Sequence, residues 1–343
     1  MTTLNFDPRL LATHYLVDVR TPLEYDDDHI PGAINVPLLT NEERVEIGTL
    51  YKQTGPFEAR KRALELVAHR FPAMVATIGE AAASRPILVY CWRGGLRSKT
   101  VVSILELTGY PALQLVGGYK AYRAHVTSYF EPFRPPGPLV VIHGMTGIGK
   151  TTLLHRLNHR FSVLDLEGLA CHRGSAFGSV GLQQTLSQKR FESLLWHELQ
   201  KMPEGLPILV EGESRRIGKV SLPGEMYEVM QESTKLWCEA SLETRVTRLI
   251  EEYGCPEYRE EMAAALLRIR KKLGGVKYEE IAGALERGDL EYFMTALMTD
   301  YYDKVYYKVR EWREDAVIDL EDFSTAEDQL GRFLISKFPV STG

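Results

Sequence analysis

Residues 139–161 read LVVIHGMTGIGKTTLLHRLNHRF, passing from an apolar run through a glycine-rich turn into a helical pattern. The centre, Gly144-Met-Thr-Gly-Ile-Gly149-Lys150-Thr151, satisfies G-x-x-x-x-G-K-[ST]. A strand before and a helix after are what this motif needs. Backbone N–H groups at the helix start cradle phosphate oxygens, the lysine neutralises them, and the hydroxyl reaches a Mg²⁺. Gly144, Gly147, Gly149, Lys150, Thr151 and Thr152 are therefore the candidates for holding a diphosphate. No N-K-x-D guanine signature is present, so the motif names a diphosphate and leaves ATP, GTP or neither open.

Upstream, the stretch YFEPFRPPGP at 129–138 carries four prolines, which sit in neither a helix nor a central strand. It reads as a linker with a boundary near Pro136, giving domains 1–136 and 137–343. In the second, FSVLDLEG (161–168), LPILVEGES (206–214), TKLWCEAS (234–241) and DAVIDLED (315–322) read as strands. Helices such as LETRVTRLIEEY separate them, and a helical insertion is expected at about 256–303. The first domain alternates likewise. HYLVDVR and RPILVYC are strands, while FEARKRALELVAHRF and SKTVVSILELTGY are helices. The fold class is α/β, two domains each with a parallel sheet, the second of the P-loop NTPase type.

Composition agrees with a soluble globular chain, 44% hydrophobic and 25% charged over 343 residues. No apolar stretch approaches a membrane span, and MTTLNFDPRL has no signal-peptide pattern, so a cytoplasmic protein with no membrane partner is expected. Cys91, Cys171, Cys238 and Cys255 are far apart, which fits a reducing compartment. A net charge of −5 excludes bulk attraction to a polyanion, so any nucleic acid must meet a local patch.

A second loop, VYCWRGGLRSKT at 89–100, places Cys91 where a buried strand gives way to a helix. Loop amides, with Arg93 and Arg97, favour a thiolate there, and Cys91 is expected to be the most reactive of the four cysteines. The stretch LVDVRTPLEYDDDHIPGAINVPL, with Asp18, Arg20 and the turn from His29 to Asn35, resembles the opening of the rhodanese family. Cys91 matches that family's persulfide-forming cysteine. The spacing to Arg97 is C-x5-R, one residue longer than the common rhodanese loop and equal to that of Cdc25-type phosphatases. Such a loop has room for a tetrahedral oxyanion.

A rhodanese-like domain followed by a P-loop domain resembles the bacterial tRNA 2-selenouridine synthase family. Further runs carry the match: GGYKAYR (117–123), GLACHRGSAFG (168–178), EGESRRIG (211–218), LGGVKYEEI (273–281) and YYDKVYY (301–307). The resemblance implies an enzyme that replaces the sulfur of wobble 2-thiouridine in tRNA by selenium, through S-geranylation. Its co-substrates would be geranyl diphosphate and selenophosphate, the latter supplied by a selenophosphate synthase. Cys91, Arg93 and Arg97 would then be catalytic, and the Lys150 loop would hold the alkyl donor's diphosphate.

Glu211 and Glu213, at the end of LPILVEGES, are candidates with Thr151 for a Mg²⁺ site. Arg173, Arg215, Arg216 and Lys219 stand on loops beyond strand ends and are candidate tRNA contacts near the Lys150 loop. RIRKK offers Arg268, Arg270, Lys271 and Lys272 on a helix whose apolar face would be Leu266, Leu267, Ile269 and Leu273, either as a solvated face or as an RNA surface. The tyrosines of YYDKVYY are candidates for base stacking or for core packing. Two other readings remain: a P-loop kinase or ATPase fused to a regulatory rhodanese or phosphatase-like module, and a sensor with a degenerate phosphatase loop.

Overall fold

A computed structural model of the chain describes residues 2–182, 186–304 and 312–339. By internal contacts there are two compact units, one of Met1–Glu131 with Glu192–Trp196 and the other of Pro132–Phe191 with His197–Gly343.

The first unit holds a five-stranded parallel sheet of β1 (Thr2–Leu4), β2 (Tyr15–Asp18), β3 (Ile34–Asn35), β4 (Ile87–Tyr90) and β5 (Ala112–Leu115), in the order β1-β5-β4-β2-β3. Helices α1 (Leu10–Thr13), α2 (Pro22–Asp27), α3 (Asn41–Gln53), α4 (Pro56–Val67), α5 (Phe71–Ala82), α6 (Leu96–Leu107) and α7 (Gly118–Tyr129) connect the strands. All four residues of central β4 are buried, which is why its sequence is uniformly apolar rather than alternating. Val17, Val89, Val102 and Leu105 lie at the heart of one core layer. The short helix α2 begins with a capping box, Thr21 accepting from the Glu24 amide while the Glu24 side chain accepts from the Thr21 amide.

The second unit is built on another five-stranded parallel sheet: β6 (Leu139–Gly144), β7 (Ser162–Leu164), β8 (Ile208–Glu211), β11 (Thr234–Glu239) and β12 (Ala316–Asp319), ordered β12-β11-β6-β8-β7. Between β8 and β11 runs a two-stranded antiparallel hairpin, β9 (Arg216–Ile217) and β10 (Val220–Ser221). The helices are α8 (Lys150–Leu157), α9 (Leu166–Ala170), α10 (Gln188–Leu199), α11 (Gly224–Glu232), α12 (Leu242–Tyr253), α13 (Arg259–Leu273), α14 (Gly275–Arg287), α15 (Leu290–Leu297) and, after β12, α16 (Phe323–Lys337). Helices α13, α14 and α15 form a separate apolar cluster with α12, centred on Leu266, Ile281, Ala284 and Phe293. On α13 the buried face is Met262, Ala265, Leu266 and Ile269; Leu267, expected on it, is 55% exposed. The 3.6-residue period explains the correction, since Leu267 falls a third of a turn away from the Met262–Ile269 stripe. Among the described residues no helix is long and apolar enough to cross a membrane.

Candidate functional site

The glycine-lysine loop joins the centre of the second sheet, at the end of β6, to α8. Gly147 has φ +77, and a Cβ there would lie 2.8 Å from Leu249 Cδ1 and 3.0 Å from the Arg245 carbonyl, so a side chain would push the loop off α12. Helix α12 fixes the loop from below. Arg245, 3% exposed, donates to the Thr146 carbonyl at 2.9 Å and pairs with Asp303 at 2.6 Å. One turn on, Arg248 donates to the Ile148 carbonyl at 2.8 Å and lies over the Phe323 ring at 4.3 Å. Period-four spacing on α12 thus sends Arg245 and Leu249 to the loop and Tyr253 into the same wall.

Lys150 Nζ lies 3.4 Å from the Gly144 carbonyl, folded back over the loop where phosphate oxygens would replace that contact. Thr151 Oγ1 contacts Glu211 Oε1 at 2.8 Å and Glu167 Oε2 at 3.1 Å, and Glu211 Oε2 accepts from the Glu167 amide at 3.0 Å. Burial, followed by neighbouring carboxylates, raises both acids: Glu167 through Glu213 and Glu211, and Glu211 through Asp165 and Glu213. A divalent cation here would relieve that repulsion. Among the described residues no three His, Cys, Asp or Glu side chains are grouped to hold a metal alone. The arrangement suits Mg²⁺, which takes one or two protein oxygens and fills its octahedron with phosphate and water.

Around the loop opens a cavity of about 700 Å³. Its lining combines Gly147–Thr152, Glu167 and Glu213 with the apolar and aromatic residues Ala176, Leu249, Tyr253, Tyr301, Tyr302 and Phe323. Of the glycine-lysine motif, Gly147, Gly149, Lys150, Thr151 and Thr152 line it, while Gly144 lies beneath as the last residue of β6. Arg173 also lines this cavity, paired with Glu252 at 2.5 Å.

Arg215, Arg216 and Lys219, expected near the Lys150 loop, do not line its cavity; they are exposed on the β9–β10 hairpin. The hairpin's turn packs Gly218 against His172, and Arg216 Nε donates to the Gly218 carbonyl at 3.0 Å. Arg173, expected with them, lines the cavity and pairs with Glu252. On α13, Arg268 donates to the Ala176 carbonyl at 3.1 Å and Arg270 pairs with Glu279 at 3.2 Å, while Lys271 and Lys272 are exposed. Of the tyrosine run, Tyr301 and Tyr302 line the cavity; Tyr306 and Tyr307 lie outside the described residues.

In the first unit, Cys91 is 3% exposed at the end of β4. Its Sγ accepts from the Gly95 amide at 3.2 Å and lies 3.2 Å from Ser98 Oγ, which Gln114 Nε2 fixes at 2.8 Å. The loop closes on the turn before α7, where Gly118 has φ +58 and a Cβ would come within 2.1 Å of the Cys91 carbonyl. Arg93 is exposed. Arg97 instead forms a two-pronged pair with Glu24, at 2.6 and 3.1 Å, so the capping-box acid of α2 also anchors the loop arginine. Burial pushes the Glu24 carboxyl up, but the Arg97 guanidinium outweighs it and the net shift is downward. Asp18 and Arg20 form a buried pair at 2.6 Å, with Arg20 stacked 3.9 Å from the Tyr119 centroid. Exposure orders the thiols differently from expectation, since Cys255 is the exposed one; Cys238 is buried and its thiol pushed up to about 12 by that burial.

The sequence pattern missed Glu167, Arg245, Arg248 and Glu252. None belongs to the glycine-lysine motif, and only the fold brings them to it. Glu167 had one signal, its position just after the end of β7, a strand of the same parallel sheet.

A family model described as the tRNA 2-selenouridine synthase AAA domain matches residues 137–333, and one for the rhodanese-like domain matches residues 7–125. The tRNA 2-selenouridine synthase of Nitrosomonas europaea is 35% identical over 346 residues, covering 86% of this chain and 89% of its own. That of Cupriavidus necator is 33% identical, covering 96% and 97%. That of Bdellovibrio bacteriovorus is 33% identical, covering 88% and 90%. With both domain types in sequence and relatives of this likeness over nearly its whole length, the chain belongs to the tRNA 2-selenouridine synthase family.

Proposed function

We propose that this chain is a tRNA-modifying enzyme that converts wobble 2-thiouridine to 2-selenouridine, using geranyl diphosphate to alkylate the sulfur and selenophosphate to replace it. Membership of the family supports the tRNA modification itself. The observation that carries the alkylation step is a cavity lined both by the diphosphate cradle of Gly147–Thr152 and by apolar and aromatic side chains, Ala176, Tyr301 and Phe323 among them. An amphiphilic diphosphate is the ligand class that matches both.

Thiocarbonyl sulfur is a poor leaving group until alkylated. Lys150 and the loop amides would stabilise the departing pyrophosphate as the C–O bond breaks. Thr151 and Glu211, with Glu213 near them, would hold a Mg²⁺, which supplies further charge neutralisation when bound. Once alkylated, the geranylthio group can leave. The Cys91 loop, with Arg93, Arg97 and the Gly95 amide, is the candidate handler of selenophosphate, and the exposed Arg215, Arg216 and Lys219 are the candidate contacts to the tRNA backbone.

Nucleoside mass spectrometry after incubating purified protein with 2-thiouridine-containing tRNA tests this reading. Geranyl diphosphate alone should yield the S-geranyl nucleoside, and addition of selenophosphate should yield selenouridine. Turnover of ATP with no change in the tRNA would favour a kinase or ATPase instead.

A further inference from the structure

Alkylation of 2-thiouridine has a proton to lose. The new S–C bond forms as the C–O bond to the diphosphate breaks. The C2=S double bond becomes single, C2=N3 forms, and the N3 proton must depart. Four carboxylates line the main cavity: Glu167, Glu213, Glu251 and Glu252. Glu167 is engaged with Thr151 at the cation position. Glu213 crowds the Gly174 backbone, where a Cβ would meet its Oε2 at 2.2 Å. Glu251 and Glu252 end α12, but Glu252 also lines an adjoining cavity of about 380 Å³, so its carboxylate stands where the two spaces meet.

We propose that Glu252 is the base that accepts the N3 proton of the thiouridine, with Arg173 beside it donating to the ring's O4; this rests on the alkylation reading above. The two side chains form a matched edge. The Arg173 Nε lies 2.5 Å from Glu252 Oε1, so an acceptor and a cationic donor stand side by side, the complement of an N3–H next to a C4 carbonyl. Arg173 also donates through Nη1 to the Val180 carbonyl at 2.7 Å, so the loop after α9 pins it, and these contacts use two of its five N–H groups. Its guanidinium lies 5.3 Å from the centroid of Tyr253, which is part of the apolar wall where the alkyl chain would lie.

The surroundings suit proton transfer. The Glu252 side chain is 39% exposed, yet the packing around it still raises its carboxyl, with Arg173 opposing that rise, which leaves it more basic than an ordinary carboxylate. Across the smaller cavity are Glu167, Cys171, His172 and the His155–Asp165 pair; across the larger are Lys150, Glu213, Tyr301 and Tyr302. On α12 itself the neighbours are Arg248, Glu251 and Tyr253. Among the described residues, Arg173 is the charged group in ion-pair contact with Glu252.

The test compares wild type, Glu252→Gln and Glu252→Asp for geranylation of thiolated tRNA, from mildly acidic to strongly alkaline pH. Glu252→Gln should lower kcat at neutral pH by on the order of 100-fold, with little change in KM for geranyl diphosphate. The deficit should shrink at alkaline pH, where the thiouridine ionises without help. Glu252→Asp should keep the wild-type profile at reduced rate. tRNA that is already S-geranylated has no N3 proton to lose, so Glu252→Gln should bind it as tightly as wild type does. An equal loss at every pH, or a matching loss of binding to pre-geranylated tRNA, overturns the proposal and leaves Glu252 a structural partner of Arg173. Absence of geranylated product from the wild type overturns the functional reading, and this proposal with it.

Discussion

Thr151 Oγ1 donates to Glu211 Oε1 across 2.8 Å although 60 residues separate them in the chain. The first turn of α8 and the end of β8 meet there because β6 and β8 are parallel neighbours, with Ile142 opposite Glu211. Topology thereby sets the buried Glu211 beside the phosphate loop, and the half-buried Glu167 makes it a pair. Glu167 and Lys150 line one cavity, with Glu211 buried behind Thr151.

The carboxylate pair makes the metal-free protein sensitive to pH. Glu167 rises from the model-compound value of 4.5 to about 9, so the folded state binds protons that the unfolded chain has released. The protonated pair therefore supports folding fully below about pH 4.5, and that support is lost as pH rises toward 9. With chelator present, Glu167→Gln should raise Tm at pH about 8 by a few degrees and flatten the alkaline decline. A wild-type Tm that climbs through this window would contradict the assignment.

The two loops should separate on mutation. Lys150→Ala should abolish geranylation, because the leaving pyrophosphate loses its cation. Cys91→Ser should leave geranylation largely intact and block selenium insertion. Liquid chromatography of digested tRNA reads both products in one run. Loss of geranylation in folded Cys91→Ser would place Cys91 in the first step.

The central strands of both sheets could be read from the sequence because their signals are local, whereas the edge strands β1 and β3, three and two residues long, could not. Uniformly apolar runs such as ILVY at 87–90 mark strands buried on both faces, and glycine-rich turns mark the loops that follow. The diphosphate cradle was readable for the same reason, its residues lying within nine positions. What supports it was not. Arg245 reaches Thr146 over 99 residues and Arg173 reaches Glu252 over a similar span, so neither pairing leaves a spacing to find. The β9–β10 hairpin was missed because its strands are two residues each, too short for any period.

Arg245 should matter for the loop without touching substrate. Replacing it with methionine removes the tie to the Thr146 carbonyl and leaves Asp303 without its partner. A loss of about 3 kcal/mol in denaturant unfolding is expected, with weaker pyrophosphate binding in the fraction that folds. Unchanged stability would show that another contact holds the loop.

An acidic protein must hold tRNA through few charges. Arg216→Ala should weaken tRNA binding and reduce the slope of log K against log salt by about one unit, leaving geranyl diphosphate binding unchanged, since Arg216 stands outside the cavity. Unchanged affinity and slope would move the RNA surface to the exposed Lys271 and Lys272 of α13.

In the function proposed above, the Lys150 cavity binds a prenyl diphosphate and passes its alkyl group to tRNA sulfur. The most direct measurement is mass spectrometry of nucleosides from thiolated tRNA incubated with purified protein and geranyl diphosphate alone, with no selenophosphate. S-geranyl-2-thiouridine formed in proportion to pyrophosphate released, and absent with Lys150→Ala, is the predicted result. Unmodified tRNA alongside steady hydrolysis of ATP by the same protein would contradict it.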